Sequence, residues 1–185
     1  MKNNSIELLA WAAGFADGEA SVQMRRNKCR KVLVDGSISI SNQVHVVFTI
    51  VQVDPSPLAR MHEMFGGSFH LRDRHHKNPK HQPAWVWTLA GTQAYEAFKA
   101  IRPWLTLKAE RVDLAIEFYD KCHHPRGWTA NKGGGSGFQK LPPEEVAMRE
   151  VFFHKMQQLN LRGGAAVAAR IASGEITDTV TAVCQ

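Results

Sequence analysis

The chain has 185 residues, 44% of them hydrophobic, and a net charge of +6. It is long enough for one domain with a real core and suits a polyanionic partner. Three cysteines (Cys29, Cys122, Cys184), odd in number and widely spaced, argue against a disulfide scaffold and for a reducing, intracellular compartment. Lys2 and the apolar run after it imitate the start of a secretory signal. Glu7 interrupts that run, Asp17 and Glu19 stand where cleavage would fall, and no stretch approaches the ~20 apolar residues of a membrane span.

In chain order, Asn4 with Glu7 three residues later forms a capping box that opens a first helix, which Gly18 closes. Residues 20–27 read as a strand, and a basic loop with a turn at Asp35-Gly36 follows. Residues 44–52 alternate, with Val44, Val46, Phe48 and Ile50 on one face and His45, Val47 and Thr49 on the other. Asp54 and Pro55 open a second helix that stops at the Gly66-Gly67 break. Strands at 68–74 and 84–90 flank a loop rich in His, Lys and Pro, and helices at 92–101 and 104–121 complete the unit. Trp85 and Trp87 share one strand face and are expected in the core. The order α-β-β-α-β-β-α-α predicts an α+β fold, a curved antiparallel sheet covered by helices on one face.

Composition breaks at His123. The chain therefore divides into a domain over 1–122, a Gly-rich basic linker over 123–140, and a C-terminal helix and tail over 141–185. The run Gly133-Gly134-Gly135-Ser136-Gly137 lacks the ending of a phosphate loop, and no strand precedes it. Leu141-Pro142-Pro143-Glu144-Glu145 has the prolines and acids that a helix start prefers. No internal repeat occurs, so each chain carries a single copy of its first helix.

That helix carries a conflict. In Leu9-Ala10-Trp11-Ala12-Ala13-Gly14-Phe15-Ala16-Asp17-Gly18-Glu19-Ala20, the small residues Ala10, Gly14 and Gly18 recur every fourth position, a stripe along which another helix backbone can approach closely. Its end delivers two acids, Asp17 and Glu19, where the helix dipole favours cations. Carboxylates so placed are costly unless a metal ion or a cluster of donors compensates them.

The segment from Ala12 to Ala20 resembles the motif of the LAGLIDADG homing endonucleases. It keeps the glycine and both acids, but has Ala12 for the leading leucine, Glu19 for the second aspartate and Ala20 for the final glycine. Further matches follow in order: Phe48-Thr49-Ile50-Val51-Gln52 leading into Pro57-Leu58, then Phe65-Gly66-Gly67-Ser68-Phe69, Trp85-Val86-Trp87, and Ile101-Arg102-Pro103-Trp104-Leu105-Thr106-Leu107-Lys108. The resemblance spans roughly residues 5 to 121. It implies the αββαββα homing endonuclease fold with a C-terminal helical extension, and site-specific cleavage of both strands of DNA to leave 3′ overhangs. The host element is an intron, an intein or a free-standing gene. The rivals are an RNA maturase or a DNA-binding regulator on the same scaffold.

With one motif per chain, the small-residue stripe (Ala10, Ala13, Gly14 and Gly18) is expected to meet its copy in a homodimer, which suits a pseudo-palindromic target. The resemblance implies that Glu19 from each subunit holds Mg²⁺ or another divalent cation such as Mn²⁺ between the scissile phosphates. Asp17, as the motif's first acid, looks more structural, though it is a second candidate ligand and catalytic residue. Gln52 has the parity of the core face yet is polar, so it either ends the sheet or reaches the site, where the resemblance implies a water-positioning role. Lys108 matches a family lysine that assists the nucleophile or the phosphoanion. A basic residue expected shortly after Gln52 is replaced by Ser56 and Pro57, leaving Arg60 or Arg72 to substitute.

Double-stranded DNA is the expected partner, with no membrane and no small-molecule cofactor. Alternation nominates Ser21, Gln23, Arg25 and Asn27, then His45 and Thr49, then Arg72 and Arg74, for base reading, since a β-ribbon fits the major groove and Arg, Gln and Asn match purine edges. Lys28, Arg30, Lys31, Lys77 and Lys80 are placed on loops, for phosphate contact. His70, His75, His76, His81, His123 and His124 beside Cys122 lack the paired spacing of a zinc site, and His62-Glu63 lacks a metalloprotease's second histidine.

Overall fold

The computed structural model describes residues 4–32, 38–73, 82–122, 143–161 and 173. Its elements run α1 (Ile6–Glu19), β1 (Ala20–Val32), β2 (Ile38–Gln52), α2 (Ser56–Phe65), β3 (Ser68–Arg72), β4 (Ala84–Ala90), α3 (Gly91–Ile101), a 3₁₀ turn (Arg102–Trp104), α4 (Ala109–Cys122) and α5 (Pro143–Leu159). The fold is the expected α+β arrangement. Among the described residues, no helix is long and apolar enough to cross a membrane.

The start of α1 differs by one residue from the expected capping box. Ser5 is the N-cap, and its hydroxyl accepts from the Leu8 N–H. Asn4 donates instead to the Met64 carbonyl, tying the chain start to the end of α2. Nor does Gly18 close the helix. The helix runs on to Glu19, and Ala20 turns directly into extended backbone, so the motif acids lie at a helix-to-strand junction. The Gly66-Gly67 break is where it was expected. Both glycines have positive φ (73° and 92°), and a Cβ on Gly67 would fall 2.4 Å from a Leu89 methyl and 2.6 Å from the Thr88 carbonyl oxygen. The backbone of the break therefore presses directly on β4.

Four antiparallel strands lie in the order β1-β2-β4-β3. The hairpin of β1 and β2 is much longer than alternation predicted. It pairs continuously from Ala20 opposite Ile50 to Val32 opposite Ile38, whereas β4 accompanies β2 only from Val47 to Gln52. Lys28, Arg30 and Lys31 therefore stand on a strand and not on a loop. The reason is physical: a two-stranded ribbon standing clear of the sheet is held by its backbone ladder and needs no apolar alternation. The predicted turn at Asp35-Gly36, and also Arg74, Lys77, Lys80 and the linker at 123–140, lie outside the described residues.

Val22, Met24, Val44, Val46, Phe48, Ile50, Trp87 and Leu89 form the sheet's side of the core. They pack against Ala12, Ala13 and Ala16 of α1, Leu58 and Met61 of α2, Phe98 and Ile101 of α3, and Val112 and Phe118 of α4. Trp87 is fully buried with its indole N–H donating to the Gly66 carbonyl at 2.8 Å, and Trp85 is half-buried against the same core, as expected. The C-terminal helix joins in: Phe152, Phe153 and Met156 of α5 are buried in that cluster. Beyond Met24, the Arg26 guanidinium lies 4.0 Å over the Phe153 ring and pairs with Glu150. Helix α5 thus covers the part of the hairpin that α1 to α3 leave open.

Candidate active site and nucleic-acid interface

Asp17 and Glu19 lie two residues apart at the end of α1 and have opposite surroundings. The Asp17 carboxylate is half-buried and accepts the backbone N–H of Thr106 at 2.6 Å and that of Lys108 at 2.9 Å. The Lys108 ammonium in turn donates to the Asp17 carbonyl oxygen. This grip explains why α4 begins at Ala109 and not near residue 104. Pro103 closes a 3₁₀ turn, and the next residues are held extended by an acid from another element. Glu19, by contrast, is exposed, and its carboxylate makes no hydrogen bond or ion pair among the described residues. It sits at the negative end of α1, whose last turn holds no basic residue.

A small pocket opens beside Asp17, lined by Asp17, Ala20, Ser21, Val22, Leu107, Lys108, Arg111 and Asn160. Arg111 and Asn160 were not nominated from sequence. Arg111 donates to the Leu107 carbonyl (3.2 Å), the Leu159 carbonyl (2.5 Å) and the Asn160 side-chain oxygen (2.9 Å), and Asn160 donates on to the Val22 carbonyl of β1 (2.9 Å). Only the spacing of Arg111 from Leu107, one helical turn, hinted at a role.

Gln52 is half-buried at the last position of β2, opposite Trp85. Because β1 begins at Ala20 opposite Ile50, Gln52 overhangs that start by two positions, at the end of the sheet where α1 enters. Neither proposed substitute for the missing basic residue adjoins the acids. Arg60 stacks 4.6 Å over Trp11, more than a turn before Asp17, and Arg72 ends β3 opposite Ala84 at the far edge of the sheet.

The small-residue stripe is open along most of its length. Gly14 and Gly18 are exposed, and a Cβ on either would meet nothing within 4 Å. Ala10 is half-exposed on the same face. Ala13, also expected there, is fully buried in this chain's own core. It lies on the Ala12–Ala16 side of the helix, about 100° round from Gly14, and has no surface to offer a partner.

The sheet face opposite the core is polar, as alternation predicted. Ser21, Thr49, Thr88 and Ser68 form one rank across the four strands, since each is the register partner of the next. Along β1 the side chains support one another: Gln23 donates to the Ser21 hydroxyl (2.8 Å), and Arg25 donates to the Gln23 side-chain oxygen Oε1 (3.4 Å). His45 faces Arg25 in register, and Asn27 is exposed further out. Val47 and Val86 form an apolar floor on this face, each 5% exposed. Thr88 and His70 share the surface; neither was nominated for base reading from sequence, where His70 was weighed only for zinc. Among the described residues, no three His, Cys, Asp or Glu side chains come together as a metal site within one chain.

Comparison of this fold with solved structures returns homing endonucleases. The likeness to I-CvuI, solved in complex with its target in the presence of calcium, has a TM-score of 0.61 at 16% identity and covers 91% of this chain and 96% of that one. The archaeal intron-encoded I-Vdi141I, complexed with DNA, gives 0.55 at 13% identity over 84% and 85%. The LAGLIDADG enzyme I-SmaMI, bound to cleaved DNA, gives 0.53 at 17% identity over 87% of this chain and 47% of its own. No protein-family model and no curated protein sequence matches. The chain shares the fold of these homing endonucleases.

Proposed function

We propose that this protein is a site-specific DNA endonuclease that works as a homodimer with a divalent cation. The observation that carries the reading is Glu19, an exposed carboxylate with no hydrogen bond or ion pair among the described residues, at the negative end of a helix, two residues after the Asp17 that holds Lys108, and directly before the polar strand of Ser21. Such an acid is a liability for folding and fits an oxygen-binding cation such as Mg²⁺ or Mn²⁺. A bound divalent cation stabilises charge on the phosphate and lowers the pKa of the attacking water. Glu19 from each protomer would hold it, while Asp17 keeps the loop of Lys108 in place. Lys108 supplies a compact positive charge next to the phosphate, and Gln52 orients water from the end of β2.

Dimerisation along Ala10, Gly14 and Gly18 brings two copies of Glu19 to one axis and sets two polar sheets side by side. Ser21, Gln23, Arg25, Asn27, His45, Thr49 and Arg72 then read bases of a long pseudo-palindromic site in the major groove. Lys28 and Arg30 of the hairpin bind phosphates. The cut falls across the intervening minor groove and leaves 3′ overhangs. The relatives of similar fold were solved with DNA and with magnesium or calcium, which supports this reading. A protein that only bound nucleic acid would have no use for Glu19.

Selection of cleaved molecules from a randomised duplex pool with Mg²⁺ tests activity, target and symmetry together. Recovery of a pseudo-palindromic consensus is expected. A pool left intact by the wild-type protein, across Mg²⁺ and Mn²⁺, refutes the enzyme.

A further inference from the structure

On the reading above, α1 holds the Lys108 loop through Asp17, and the hydrogen bonds around the pocket form a longer circuit. Asp17 of α1 holds the N–H groups of Thr106 and Lys108, on either side of Leu107. Arg111 holds the Leu107 carbonyl from below, and its other N–H groups are spent on Leu159 and Asn160 at the end of α5. Asn160 closes the circuit on the Val22 carbonyl of β1, the strand of Ser21, Gln23 and Arg25. The loop of Lys108 is thus pinned from two sides, by α1 and by the end of α5. Leu107, 72% exposed, is held out between those pins.

We propose that Arg111 and Asn160 are positioning residues for cleavage, and that the end of α5 fixes the Lys108 loop against the DNA-reading strand. A guanidinium suits the task because its planar fork can hold three carbonyl-type acceptors at fixed angles, which an ammonium on a flexible stem does not. Neither residue is asked to touch DNA or the cation. A loose loop displaces Lys108 from the phosphate, and a displacement of ~1 Å can cost on the order of a hundredfold in rate.

The test uses the full-length protein. Amide hydrogen exchange across residues 105–108 is measured without DNA in the wild type and in Arg111→Gln. Single-turnover cleavage of the selected duplex, its Kd and the melting temperature are measured alongside. The proposal expects faster exchange at Thr106 and Lys108, and cleavage slower by ten- to a hundredfold. Kd should stay within about threefold and melting close to that of the wild type. Unchanged exchange and rate overturn it, as does a parallel fall of rate, binding and melting, which marks a purely structural contact. If Arg111→Gln does not fold, Asn160→Ala carries the same readings. Failure of the wild type to cut any duplex refutes the nuclease reading separately, and the exchange measurement still reports whether α5 pins the loop.

Discussion

Asp17 and Lys108, 91 residues apart, hold each other reciprocally. The aspartate carboxylate accepts the lysine's backbone N–H, and the lysine ammonium donates to the aspartate's carbonyl oxygen. The two motif acids therefore differ in their surroundings. Asp17 is engaged within the protein, and Glu19 is exposed with no hydrogen bond or ion pair among the described residues.

Asp17→Ala removes both anchors of the Thr106–Lys108 segment. Hydrogen bonds to a charged acceptor contribute ~1.5–3 kcal/mol each when shielded, so this part-exposed pair is expected to cost about 1–3 kcal/mol in all. Urea denaturation reads that loss. A variant of wild-type stability would show that Asp17 contributes nothing to holding the segment.

Glu19→Gln, by contrast, removes no protein contact. It is expected to abolish cleavage of the selected duplex while leaving melting and specific binding intact. Loss of binding as severe as the loss of cutting would make this acid structural.

Gly14→Leu tests the seam. Because a Cβ at Gly14 meets nothing within 4 Å, the protomer itself should tolerate the change. Its helix propensity even improves, by up to ~1 kcal/mol. Self-association is expected to weaken by on the order of tenfold or more, seen by sedimentation. Unchanged sedimentation would remove this helix from the interface.

Arg25 stands on the polar face with Gln23 braced behind it. Arg25→Ala should relax preference at one position of each half-site by ~1–3 kcal/mol, measured by competition between duplexes. A uniform fall in affinity over all sequences would reassign Arg25 to phosphate.

Alkaline stability has a specific source in Tyr119. Burial pushes its phenol up from 10.0 to about 12, against a smaller opposing effect of the Gly91 backbone. Between those values the unfolded chain loses this proton and the folded one keeps it. The stabilisation is therefore complete below pH 10 and fades as pH rises to about 12, by ~2–3 kcal/mol at 1.36 kcal/mol per unit. Tyr119→Phe should flatten that part of the stability curve. An unaltered slope would place the loss elsewhere.

The sequence disclosed most of this architecture through patterns that are local. Alternation in Val44–Ile50 separated the two faces of β2, and the same parity in β1 found the polar ladder of Ser21, Gln23 and Arg25. Local pattern failed where a long-range contact decides. Ala13 looks like any other small residue of its helix until the core behind it is known. The outer rungs of the hairpin carry Lys28, Arg30 and Lys31 in one basic run, so they read as loop. Arg111 and Asn160 meet across 49 residues, and Asn160 reaches Val22 across 138, distances over which one chain read alone leaves no trace.

Beyond the last rung shared with β4, the hairpin of β1 and β2 has neighbours on one strand edge each and no third strand to satisfy. There the backbone ladder joins the two strands rung by rung, from Lys28 opposite Asn42 to Val32 opposite Ile38, and a ladder does not depend on which side chains its rungs carry. On the proposed reading, the cost of changing which bases are met there is separate from the cost of staying folded.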